Sequence, residues 1–182
     1  MLGTHVSGST LGIIGMGRIG KAIAKRGNLG FGMPVLYYNR SEVSNEGLQN
    51  SHQVKSLDDL LINADIIVVS LPGSPETHHL IDNKSFEKMK SSSILINIAR
   101  GEIVKESDLI VALKNKSIRG AGLDVYEFEP SVPKALIDLE NVVLLPHLGT
   151  AALSVREKMG NLALENIIAF LLDQKEPPNL IN

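Results

Sequence analysis

The sequence contains no cysteine. That absence excludes disulfides, thiolate nucleophiles and cysteine-held zinc or iron–sulfur centres, and it accords with a reducing compartment. An excess of either charge is also missing: 18 Lys and Arg stand against 20 Asp and Glu, a net charge of -2. Such a balance gives no field for nucleic acid or an anionic membrane surface, so neither is an expected partner. No apolar run approaches the length of a membrane span. The opening "MLGTHVSGST" lacks the basic stretch and apolar core of a secretory leader, so the expected location is cytoplasmic. Without a leader, the N-x-S triplets at Asn39, Asn83 and Asn115 are read as chance. Metal ligands are sparse too. His78 and His79 adjoin, but neighbours on a strand or helix face apart and no third ligand is evident, so no metal is expected.

What is present is a chain of 182 residues, 43% apolar, with room for one domain and a proper core. Short β-rich runs recur at 11–15 ("LGIIG"), 35–38 ("VLYY"), 65–70 ("DIIVVS"), 93–98 ("SILINI"), 118–125 ("IRGAGLDV") and 142–145 ("VVLL"). Helical stretches separate them, at 18–27, 57–62, 83–90 and 105–115. Several of the strands are continuously apolar, as when helices cover both faces of a parallel sheet. The alternation predicts an α/β, doubly wound parallel sheet of the Rossmann type. After residue 150 the texture changes. Leu153, Met159, Leu162, Ile167, Phe170 and Leu171 fall along one long amphipathic helix over 151–172, whose apolar stripe is read as core packing, and the paired prolines of "KEPPNLIN" end it.

Between the first strand and the first helix lies "GMGRIG", with glycines at 15, 17 and 20. A lone G-x-G-x-x-G is weak evidence; its position after a strand and before a helix gives it weight. Gly15 permits the tight turn, Gly17 lets the backbone approach a pyrophosphate, and Gly20 lets the helix pack closely on the sheet. The helix N-terminus, with Arg18 and Ile19, then aims N–H groups at the phosphates. Where a dinucleotide fold commonly carries an acidic ribose reader, this chain has Asn39, with Arg40 beside it. Loss of the carboxylate and gain of a guanidinium favour a 2′-phosphate, so the expected cofactor is NADP, with NAD possible.

Four further pieces end or follow predicted strands: "VSLPGSPETHHLI" (69–81), "INIARGEIV" (96–104), "GAGLDVYEFEP" (120–130) and "LLPHLGT" (144–150). They bring one arginine, one glutamate and one histidine toward the carboxyl edge of the sheet. Such a trio can neutralise a substrate carboxylate, tune a base and move a proton. In this order, behind the glycine loop, the motifs closely resemble the D-2-hydroxyacid dehydrogenase family, and the Asn39–Arg40 pair resembles its glyoxylate/hydroxypyruvate reductase branch. The resemblance implies that Arg100 binds a 2-keto acid, that His147 is the proton donor and acceptor, and that Glu129 pairs with His147. It places Asp124 near the nicotinamide, and Leu71, Pro72, Thr77, Ile98, Ala99 and Gly149 among the cofactor contacts.

Members of that family are two-lobed, and only 14 residues precede Gly15 here. The expectation is therefore a single NAD(P)-binding domain over 1–182, with its core at about 8–150 and the substrate lobe absent. The resemblance also implies a homodimer for the full-length family. At "GTAALSVRE" the chain keeps a hydroxyl at Thr150 but has Ala151 where the family often has another small polar residue. An alternative reading is a dinucleotide-binding or interaction module with weak turnover or none. A short-chain dehydrogenase is set aside, because none of Tyr37, Tyr38 and Tyr126 is followed by lysine four residues on.

Overall fold

A computed structural model describes residues 3–180. Its chain divides into two compact units at Pro146–His147. The first unit is built on seven strands: β1 (Leu11–Ile14), β2 (Val35–Tyr38), β3 (Ser51–Gln53), β4 (Ile66–Val69), β5 (Ile94–Asn97), β6 (Gly120–Leu123) and β7 (Val142–Leu144). All pair in parallel, in the order β3-β2-β1-β4-β5-β6-β7. The order reverses between β1 and β4, which defines the crevice where sheets of this kind bind ligands. Helices α1 (Arg18–Phe31), α2 (Leu57–Asn63), α3 (Asn83–Lys88), α4 (Glu106–Lys114) and the short α5 (Lys134–Ile137) connect the strands, with a 3-10 turn at Gly101–Ile103.

Side chains alternate between two apolar clusters, one on each face of the sheet. Ile14, Leu36, Ile67, Val69 and Leu95 pack with Leu60, Leu61, Phe86, Leu109 and Leu113 from α2, α3 and α4. Leu11, Ile13, Val35, Tyr37, Ile66 and Val68 pack with Ala24 of α1. Strands β1 and β4 are buried along their whole length, as their unbroken apolar runs require. The expectation of two covered faces is corrected toward β7. There Val143 is 64% exposed, while in β5 Ile94 and Ile96 are half-buried beside buried Leu95 and Asn97.

Helix α1 runs four residues beyond its predicted end and stops at Gly32, whose left-handed backbone (φ 64°) returns its N–H to Asn28 and Gly27 carbonyls. Strand β3 was not legible as a strand. It is a three-residue polar edge, held in place where Asn28 donates to the Gln49 carbonyl and accepts from the Gln49 N–H at 2.8 Å.

The second unit carries α6 (Leu153–Leu171). Within this unit none of its residues is buried, so the apolar stripe expected to be core packing finds no core there. Leu153, Met159, Leu162, Leu164, Ile167, Phe170 and Leu171 are all exposed. Its apolar residues are spread around the helix rather than gathered on one narrow face, so no single contact would cover them. Among the described residues, no helix is long and apolar enough to cross a membrane.

Candidate functional site

The register lines up the last residues of the strands, so Tyr38, Ile14, Val69, Asn97, Leu123 and Leu144 form one row along the carboxyl edge. The candidate residues of the first unit lie one to eight positions beyond that row. Parallel pairing therefore converts motifs scattered over 115 positions, from Gly15 to Glu129, into one rim of loops.

At the crevice between β1 and β4, Gly15 adopts φ 98°, a region that side-chain-bearing residues rarely enter. A Cβ there would meet the Leu71 backbone nitrogen at 2.9 Å, and the Ser70 hydroxyl donates to the Gly15 carbonyl at 2.8 Å. At Gly20 a Cβ would collide with the Gly15 carbonyl oxygen, so the first turn of α1 presses directly on the loop. Around Gly17 the position of a Cβ is open, with no atom within 4 Å. The three glycines thus supply a positive φ, an open position and a close contact. Helix α1 starts at Gly17 without a side-chain cap and with no acidic residue in its first turn. Its leading N–H groups are consequently available to an anion. Arg18 and Ile19 are exposed there, Ile19 at 61%.

Beyond β2, the Asn39 side chain accepts from the Met16 N–H at 3.2 Å and donates to the Ser41 carbonyl at 3.0 Å. Asn39 therefore ties the end of β2 to the glycine loop, and exposed Arg40 follows it. A hollow of about 320 Å³ opens here, lined by Gly15, Asn39, Arg40, Leu71, Pro72 and Thr77 together with Ser74, Glu76 and neighbouring residues. Thr77 organises its far wall. Its hydroxyl accepts from the Ser74 N–H at 2.8 Å and donates to the Pro72 carbonyl at 3.0 Å. Glu76, in the same wall, was not singled out from the sequence. A hydrogen bond from the Ser74 side chain, its own backbone N–H and nearby Arg40 hold its carboxyl below the usual range.

Further along the rim, buried Asn97 shapes the next loop, accepting from the Ala99 N–H at 3.0 Å and donating to the Arg100 carbonyl at 2.9 Å. Ala99 is buried, Ile98 is 38% exposed, and the Arg100 guanidinium is exposed, donating to the Ala99 carbonyl at 2.6 Å. A Cβ on Gly73 would lie 3.2 Å from Arg100 Cγ, so this arginine adjoins the loop after β4. Gly101 is a second close contact that sequence reasoning missed; any side chain there would strike the Tyr126 backbone.

Buried Asp124 extends from β6, its N–H donating to the Asn97 carbonyl at 3.0 Å. Glu129 accepts from the Tyr126 N–H at 3.0 Å. Burial raises the pKa of the Tyr126 hydroxyl, which donates to the Leu145 carbonyl at 2.8 Å, and the charges of Asp124, Glu129 and Glu106 push it the same way. The two acids are thus gathered around one tyrosine. His147 and Gly149 belong to the second unit, where both are exposed and His147 has φ 56°.

The sequence reading of His78 and His79 is corrected. They lie in a turn rather than on a strand or helix, and their rings stack with centroids 3.8 Å apart. A carboxylate that the sequence did not point to lies beside them. Glu127 accepts a hydrogen bond from His79 Nε2 at 2.7 Å across 48 positions of sequence.

A parallel sheet reversing its order at a glycine-lined crevice, with an uncapped helix start above it, defines a dinucleotide-binding α/β protein. Residues 1–149 match the family described as D-isomer specific 2-hydroxyacid dehydrogenase, NAD binding domain, and the chain belongs to that family. It is 47% identical to a glyoxylate reductase of Pyrococcus horikoshii over 100% of this chain and 54% of the relative. The holo structure of Rhodotorula graminis D-mandelate dehydrogenase superposes with a TM-score of 0.91 at 38% identity, over 97% of this chain and 52% of that one. An NADPH-dependent glyoxylate/hydroxypyruvate reductase from Sinorhizobium meliloti, in complex with NADP and malonate, gives a TM-score of 0.84 at 33% identity, over 96% and 56%. The chain spans about half the length of the curated relatives it matches.

Proposed function

We propose that this chain forms the cofactor-holding domain of an NADP-preferring oxidoreductase for small 2-keto and 2-hydroxy acids of the glyoxylate or hydroxypyruvate type. The observation that carries the reading is the open start of α1 beside a hollow that ends at Asn39 and Arg40. Backbone N–H groups at Gly17, Arg18 and Ile19 would hold the pyrophosphate, with Gly15 and Gly20 fixing the loop. Arg40 would grip a 2′-phosphate, which an acidic residue at position 39 would repel. Leu71, Pro72, Thr77, Ile98 and Ala99 would line the cleft, with Asp124 near the nicotinamide and Gly149 among the cofactor contacts. When bound, the nicotinamide supplies the hydride that reduces the keto carbon.

The remaining work falls to side chains. Arg100 is exposed on the rim, where a guanidinium can fork onto the substrate carboxylate and polarise the adjacent carbonyl. His147 would give its proton to the alkoxide oxygen in reduction and take it back in oxidation, with Glu129 stabilising the charged imidazole. The resemblance extends the reading to a cytoplasmic homodimer. Mixing the protein with NADPH and then glyoxylate or hydroxypyruvate tests it through the loss of reduced-nicotinamide absorbance. NADPH binding is the expected result, and in a complete enzyme of the family His147→Ala should remove most of the turnover while NADPH still binds. NADPH binding without oxidation by either acid would mark this chain as a cofactor module that needs a substrate lobe, and failure to bind NADPH would overturn the reading.

A further inference from the structure

Away from the hollow, the turn after β4 and the loop after β6 meet at His78, His79 and Glu127. One ligand atom from each of the three lies within 4.8 Å of the other two. We propose that these residues form a site for a divalent d-block cation of the zinc, cobalt or nickel type.

Three observations carry this. The donor set is two imidazoles and one carboxylate, which suits borderline cations and is a poor match for calcium or magnesium, whose sites are built from oxygen. The carboxylate is also held ready. Glu127 Oε2 accepts from the Glu106 N–H at the start of α4 at 3.1 Å, which leaves Oε1 facing the histidines. Such a hydrogen bond from behind orients a metal-binding carboxylate. Finally, the backbone at His79 adopts φ 53°, and its N–H is anchored to the Glu102 carbonyl at 2.8 Å. This turn brings two consecutive histidine rings to the same side, which neither a strand nor a helix permits.

The required adjustment is small. Ligand bonds of about 2.0–2.2 Å around a tetrahedral ion separate donor atoms by about 3.2–3.6 Å. His78 is exposed, and the 2.7 Å hydrogen bond between His79 and Glu127 would open as the ion enters. Lys105 lines the neighbouring hollow, but its ammonium is paired with Asp108 at 3.2 Å. The buried Glu106 carboxylate adds further negative charge nearby. Three protein ligands leave one position for water or a small ligand. Because Glu76 and Thr77 of the cofactor hollow sit on the same turn, an ion here would fasten that wall to the loop carrying Glu129.

The test is a titration of the whole chain with Co²⁺, followed by its visible absorption, and with Zn²⁺, followed by calorimetry. Neither readout depends on the proposed reductase activity. One equivalent of each ion is expected to bind, with the intense absorption of four-coordinate cobalt. His78→Ala and Glu127→Gln should each weaken uptake more than about tenfold. His79→Asn should do the same, since asparagine tolerates the left-handed backbone. His52→Ala, which alters an exposed histidine on β3, should leave uptake unchanged. Failure to bind either ion, uptake that survives both His78→Ala and Glu127→Gln, or uptake lost instead with His52→Ala would overturn the proposal.

Discussion

Helices α1 and α2–α4 begin in two different ways. At α2 the Ser56 hydroxyl accepts from the Asp59 N–H at 3.1 Å, and at α3 the Asp82 carboxylate accepts from the Ser85 N–H at 3.1 Å. At α4 the distant Glu127 carboxylate takes the Glu106 N–H. Each of these starts is closed by an oxygen from the protein itself, as helix N-termini generally require. The start of α1 receives no such oxygen from a side chain, and its first turn lacks acidic residues. Glycine packing rather than a cap holds it in position. The starts of α5 and α6 also lack a side-chain cap and an acidic first turn, so it is the place of the α1 start at the crevice that lets a bound anion substitute for the protein's own groups.

The most disruptive way to break this contrast is to close α1 in the manner of α3. Gly17 has extended backbone (φ -76°) and open space for a side chain, so Gly17→Asp can cap the helix without strain. Calorimetry should show NADPH affinity falling by about 1.5–3 kcal/mol or more, the order of a lost charge-assisted interaction. The melting temperature should hold or rise slightly, because aspartate caps a little better than glycine. A joint loss of affinity and stability would show that Gly17 matters for the fold instead.

Arg40→Ala acts at the other end of the hollow. It should weaken NADPH by about 1–3 kcal/mol and leave NADH unchanged, a difference that parallel titrations measure directly. Ser56→Ala sharpens the contrast from the closed side. It should lower stability by about 1 kcal/mol in denaturant unfolding while leaving cofactor affinity unaltered. The smallest effect belongs to Glu76→Gln. Removing a carboxylate that faces Arg40 should tighten NADPH slightly and shift NADH less, as seen in the same titrations.

The sequence made the buried strands and the glycine loop legible because their signals are local. Unbroken apolar runs mark β1 and β4, and three glycines at fixed spacing mark a loop in which Gly15 needs its positive φ and Gly20 its close contact. Strand β3 escaped because a three-residue polar edge carries no periodicity. Glu76 and Gly101 escaped because their roles depend on loops that chain folding alone brings together, and Asn97 because its bonds to Ala99 and Arg100, though local, follow no regular periodicity. The His78–His79 pair was misread for the same reason: a rule for regular structure was applied to residues in a turn, and their partner lies 48 positions away. Helix α6 shows the opposite limit, since its apolar pattern reports that something must cover it without saying what.

The account turns on the open start of α1 and on Arg40, so the decisive measurement is a calorimetric titration of this chain with NADPH and with NADH, repeated on Arg40→Ala. The account predicts that NADPH binds more tightly than NADH and that the substitution removes the difference. Equal affinities in the unsubstituted chain, tighter binding of NADH, or no binding of either nucleotide would contradict it.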